Sequence, residues 1–197
     1  MKYFKEIKDK IYNYKELGFE VSELGAILIG KAPHIARLAW LHSLYPILDD
    51  NDTATIEHQL NMKIPADYLS FLSNCSNGLS LFVSEFYLDG YRKILGRNIE
   101  ASRQPYSLLI PNVHERPNNA TENQFFIGGY KWDGSKLYID RNSGKVHFCE
   151  RWDSTSLFEW NSFEEMLLSE TTRIITLFDE NGVIIDEDLP TTPIIIE

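Results

Sequence analysis

Cysteine is scarce in this chain of 197 residues. Cys75 and Cys149 are its only two, too few for a disulfide framework, and both read as buried thiols of a reducing compartment. Long apolar runs are missing as well: the longest, Leu24 to Ile29, falls far short of the roughly 20 residues a membrane helix needs, so no membrane contact is expected. The amino terminus, Met1 to Lys8, mixes charge into every turn and lacks the apolar segment and cleavage site of a secretory signal, so the expected compartment is the cytoplasm. Positive charge is the third shortage. Nineteen Lys and Arg stand against 29 Asp and Glu, a formal charge of −10; such a surface repels phosphate backbones, argues against nucleic-acid binding and favours a basic partner.

The deficit of cations is local. Residues 1–98 carry 11 basic and 12 acidic side chains, a net of −1, whereas residues 99–197 carry 8 and 17, a net of −9. After Arg173 there is no Lys or Arg, while Asp179, Glu180, Asp186, Glu187, Asp188 and Glu197 follow.

Catalytic and cofactor motifs are also lacking. No Gly-x-x-x-x-Gly-Lys-Ser/Thr loop occurs, and Gly128-Gly129 is followed by a strand turn, not by a helix whose first amides hold phosphate. The five histidines never take a metal-ligand spacing with a carboxylate. Asp179, Asn181 and Val183 break the ligand alternation of a calcium loop. No metal and no cofactor are therefore expected. His147 and Cys149 share one face of an expected strand and form the best enzymatic pair, although alternation alone puts them there; no catalytic residue is assigned.

What is present reads as mixed helix and strand. Tyr3, Ile7, Ile11 and Tyr14 recur at helical spacing. A second helix is expected to open at Pro33 and run through Ile35, Leu38, Ala39 and His42 toward Pro46. Asp49 to Thr53 is a polar break with helix-start chemistry, read as the boundary between a helical extension (residues 1–50) and the main domain (51–197). Pro65 and Asp67 suit the first turn of a helix carrying Tyr68, Leu69, Phe71 and Leu72, and Asn77-Gly78 suits its exit. From Gln124 the period becomes two: Phe125–Gly129, Lys136–Asp140 and Lys145–Cys149 read as a meander of strands joined by glycine turns. Ser162-Phe163-Glu164-Glu165 opens a helix. Ile174–Phe178 and Val183–Asp186 flank Asn181-Gly182 as a carboxyl-terminal hairpin. The stretch from Leu79 to Asn123 carries strand-like pieces such as Leu108-Leu109-Ile110 in polar loop sequence.

Glu57, then Ile64-Pro65-Ala66-Asp67-Tyr68-Leu69-Ser70-Phe71-Leu72, then Asn77-Gly78 closely resembles the opening pattern of the SUKH superfamily, also called the Smi/Knr family. Phe126-Ile127-Gly128, Leu137-Tyr138-Ile139-Asp140, Gly144-Lys145-Val146 and Ser162 to Leu167 look like its later part, so the likeness covers roughly residues 52–169. Leu79 stands where the family usually has a second glycine. The resemblance implies an α+β fold, a mostly antiparallel sheet flanked by helices, here with an amino-terminal helical extension. It implies a non-enzymatic role: bacterial members are largely immunity proteins that neutralise polymorphic toxins, and some fungal members regulate cell-wall synthesis. The expected partner is a cognate toxin, a basic nuclease, with a regulatory or scaffold protein of the same fold as the alternative. Expected contact residues are Trp132 and Asp133 at one turn and Asp179, Glu180, Asp186, Glu187 and Asp188 at the carboxyl-terminal hairpin, where an indole and carboxylates suit recognition of a cationic surface.

Overall fold

The computed structural model describes residues 2–193. Nine strands form one sheet in chain order, every neighbouring pair antiparallel. They are β1 (Phe19–Val21), β2 (Ile27–Lys31), β3 (Trp40–Leu44), β4 (Leu79–Leu81), β5 (Phe86–Leu88), β6 (Gln124–Tyr130), β7 (Lys136–Asp140), β8 (Val146–Cys149) and β9 (Phe158–Trp160). The helices are α1 (Lys2–Tyr12), α2 (Asp50–Leu60), α3 (Ala66–Asn74), the short α4 (Ile99–Ser102) and α5 (Phe163–Ile175). The architecture is α+β, as the sequence implied.

Local chemistry accounts for several boundaries. Asp49 caps α2 by accepting from the Asp52 amide at 2.7 Å, while the Asp52 side chain returns the bond to the Asp49 amide. Ser162 caps α5 through the Glu165 amide. One face of the sheet packs on α1, α3 and α5, where Phe4, Phe71 and Phe163 meet at ring separations of 6.0 and 5.5 Å. Leu137, Ile139, Val146 and Phe148 supply the sheet side of that core. Alternation sends Phe126, Tyr138 and Cys149 to the opposite face, where they form a second small cluster.

Two expected elements differ. The helix from Pro33 is absent: Pro33 to Leu38 is the loop of a β2–β3 hairpin closed by the Ala32 amide on the Ala39 carbonyl at 3.0 Å, and Trp40 to Leu44 is strand. The reason is burial. Leu41 and His42 are adjacent and both buried, as strand residues between two neighbours are, while Ile35 and Leu38 of the supposed apolar stripe are exposed. Residues 2–49 are thus α-helical only over α1, and their three strands continue the sheet into β4, with one apolar cluster drawn from both sides of residue 50. In the carboxyl-terminal hairpin, Ile174 and Ile175 belong to α5, and pairing shrinks to the single bridge Phe178 to Ile184 around the Asn181-Gly182 turn. Gly182 is required there, because φ is +74° and a Cβ would lie 2.4 Å from the Leu41 side chain.

Candidate functional site

The expected contact residues fall in two places. Trp132 is 46% exposed on the β6–β7 turn, and the Asp133 carboxylate accepts from the Ser135 amide at 2.8 Å. The segment from Asp179 to Leu189 is a loop pinned at both ends. At one end Phe178 stacks on Phe82 at 3.9 Å between ring centres. At the other, Arg173 of α5 donates to the Thr191 carbonyl at 2.7 Å and Thr191 donates to Glu85 at 3.1 Å. Glu85 also pairs with Lys131 at 3.3 Å, so one carboxylate ties the end of the loop to the strand end that carries the Trp132 turn.

Within that loop two carboxylates are partly committed. Asp179 accepts from the Asn181 and Val183 amides at 2.8 and 2.9 Å, which holds its carboxyl below the usual range, the Val183 bond leading. Asp186 accepts from the Asp188 amide at 3.0 Å. Among the described residues, no ion pair engages Asp133, Asp179, Glu180, Asp186, Glu187 or Asp188. The negative charge of this region is therefore presented, not neutralised internally.

His147 and Cys149 share a face of β8 as expected, yet they make no nucleophile. Cys149 is buried beside Phe126 and Tyr138, and burial pushes its thiol up to about 12. The His147 ring stacks on Tyr138 at 4.9 Å and shares a hydrogen bond with Ser156.

A second feature was not anticipated from sequence. Tyr87 of β5 and Lys136 of β7 line the sheet face away from α1, α3 and α5, and the irregular chain from Tyr91 to Glu115 covers them, enclosing a cavity of about 740 Å³. The residues resembling the family pattern hold its floor. Tyr68 of α3 reaches through the core, donating to the Asp89 carbonyl and, at 3.0 Å, to the Ile127 carbonyl. Asn77 clamps the next turn, accepting from the Tyr91 amide at 2.7 Å and donating to its carbonyl at 2.9 Å. Gly128 completes the fit at a β6 bulge, since a Cβ there would lie 2.1 Å from the Tyr87 carbonyl oxygen. Glu57 does the same kind of work before α3, accepting from the Ile64 amide at 3.0 Å and pairing with Lys63 at 2.6 Å.

Asp89 and Lys136, only 3% and 6% exposed, both line this cavity. Burial pushes the Asp89 carboxyl up to about 7, with Lys136 drawing it back, and burial lowers Lys136. The only signals in the sequence were a charge inside the apolar β7 pattern and one straight after β5.

Among the described residues, no helix is long and apolar enough to cross a membrane, and no group of three or more His, Cys, Asp or Glu is placed to hold a metal ion. A family model, the SMI1 / KNR4 family (SUKH-1), matches residues 47–169. The match takes in α2, α3 and every element from β4 to the first half of α5. No curated protein matches the chain.

Proposed function

The chain belongs to the SMI1 / KNR4 family (SUKH-1), and from that premise we propose that it is an immunity protein that captures and neutralises a cognate toxin, a basic nuclease, by covering its cationic surface. Family membership is consistent with immunity or regulatory roles. The observation that favours immunity is the loop from Asp179 to Leu189, where Glu180, Asp186, Glu187 and Asp188 are exposed, Asp179 is half-buried and none is in an ion pair among the described residues, while its ends are fixed. A pre-ordered anionic loop loses little conformational freedom on binding, and its field steers a basic partner, raising association rates by roughly 10- to 1000-fold at low salt. Trp132 adds an aromatic anchor beside Asp133.

In this reading Asp186, Glu187 and Asp188 meet the partner's lysines and arginines where phosphates would otherwise lie. Asp179 and Asp133 shape their own turns and contribute charge second. The test is to mix the purified chain with the toxin encoded beside its gene, and to express both in one cell. Complex formation whose association slows as salt rises, together with rescue of growth, is the expected result. Absence of a complex at moderate salt, with no rescue, rejects the reading.

A further inference from the structure

The cavity behind Tyr87 is built for something other than a flat protein surface. Its volume of about 740 Å³ is in the range of small-molecule sites. Its floor holds two charged side chains of opposite sign, both more than nine-tenths buried, that act on each other only through space. Neither has a hydrogen bond or an ion pair among the described residues. With no protein partner, the carboxylate and the ammonium both open onto the cavity, where an occupant can supply the hydrogen bonds that the protein does not.

The rest of the lining narrows the ligand. Tyr87 and Tyr106 stand edge to face at 4.9 Å and offer aromatic surface, with Tyr91 nearby on the same rim. The mouth carries cations: Lys131, Lys93 and Arg151 are each in an ion pair, with Glu85, Asp52 and Glu115, while Arg92 donates only to backbone carbonyls. With their ion-pair partners counted, five Lys and Arg stand against four carboxylates (Asp52, Glu85, Asp89 and Glu115), and the surplus cation is Arg92, in a chain whose net charge is −10. The site therefore suits an anion with a planar body whose edge places a hydrogen-bond donor beside an acceptor. A purine edge has that pattern: amino or ring N–H groups that a carboxylate accepts, next to ring nitrogen or oxygen that an ammonium donates to. The cationic mouth then faces the phosphate, and the tyrosines provide the stacking surface.

We propose that this cavity binds a purine nucleotide, with Asp89 and Lys136 reading the base edge, Tyr87 and Tyr106 flanking the ring, and Arg92 and Arg151 facing the phosphate. The site borders the Trp132-Asp133 turn through Lys131 and Gly134, but includes no residue of the acidic loop itself, and nucleotide binding does not depend on the partner assigned to that loop.

Calorimetric titration of the full chain with guanosine monophosphate and with adenosine monophosphate tests this, with inorganic phosphate as the control. Saturable binding of at least one nucleotide is expected, with phosphate alone much weaker. Asp89→Asn and Lys136→Met should each weaken it by about tenfold or more, the loss of a charge-assisted contact. Because both positions are buried, Tyr106→Ala serves as the variant that leaves the floor intact; removing its stacking surface should also cost about tenfold. No binding of either nucleotide overturns the proposal, as does binding no tighter than that of phosphate. Undiminished binding by Tyr106→Ala overturns it too. If nucleotides fail to bind while Tyr106→Ala weakens toxin capture, the cavity is a socket for a partner side chain and the proposal is wrong.

Discussion

The two faces of the sheet are made by different rules. The face toward α1, α3 and α5 is mostly apolar, filled by Phe71, Phe163, Leu137 and Ile139. Two of its buried polar groups are partnered: Tyr68 spends its hydroxyl on two carbonyls, and Glu170 of α5 accepts from Tyr130 at 2.6 Å and from Arg173 at 2.7 Å. The face toward the 91–123 segment carries Tyr87, Lys136, His147 and Cys149, and that segment is irregular chain broken by the short α4 and one π-helical turn, Ile110–His114. The first face provides most of the burial that stabilises the molecule and pairs the charge it buries; the second leaves Asp89 and Lys136 without such partners. Tyr68 connects them, since a core residue of one face fixes the backbone that aims Asp89 into the other.

Four measurements would break or sharpen that contrast. The largest effect belongs to His42, buried among Tyr14 and Phe82 with neither ring nitrogen hydrogen-bonded. Burial holds its pKa down to about 3 against an ordinary 6.5, so between those values the unfolded chain takes up a proton that the folded one refuses. Stability should therefore be complete above pH 6.5 and fall as pH drops toward 3, by about 5 kcal/mol. Thermal melts against pH should show this slope flattened in His42→Leu; an unchanged slope would place the acid sensitivity elsewhere.

Next, Phe71→Ala on the helix-covered face should cost about 4 kcal/mol in urea unfolding, whereas Tyr106→Ala on the other face should cost less than about 1 kcal/mol. Similar losses would dissolve the distinction between the faces.

Asp89 gives a smaller effect of opposite sign. Its folded pKa is about 7 against an ordinary 3.8, so its contribution to stability is present below 3.8 and lost as pH rises through 7. Asp89→Asn removes the buried charge but buries an amide, so at pH 8.5 it should gain about 2 kcal/mol, and that gain should vanish near pH 4. A gain at both pH values would contradict the buried-charge account. The smallest effect lies on the β4–β5 turn, where Phe82, Val83 and Ser84 all take positive φ, at 47°, 57° and 71°. The turn is held by the Val83 amide on the Leu41 carbonyl at 2.9 Å and by the Phe82 ring on Phe178. Ser84→Gly relieves one strained residue and loses a hydroxyl contact to Ser80, for a net gain of about 0.5 kcal/mol in the same unfolding assay.

Much of the helix-covered face was legible in the sequence because its rules are local. The β6 to β8 meander announced itself by alternation and by glycine turns, and α5 by the serine that caps it. The β2–β3 hairpin was not legible, since Pro33 in its loop carries the same mark as a helix start. Nor was the end of α5, where Ile174 and Ile175 suit a strand as well as a helix, and capping and packing decided for the helix. The cavity was least legible of all. Asp89 and Lys136 are far apart in the chain, and only the approach of β5 to β7 across β6 brings them to one pocket. The acidic loop, by contrast, was visible in charge counts alone, though its anchoring at Phe178 and Thr191 was not.

That anchoring separates two tasks within one chain. Because the loop is tethered by Phe178 and its bridge to Ile184 on one side and by Thr191 on the other, the letters from Asp186 to Leu189 can be rewritten, lengthened or even nicked by a protease while the framework stays assembled. A lineage obliged to keep pace with a changing adversary would need to alter only that short insert, and the surrounding architecture could stand still.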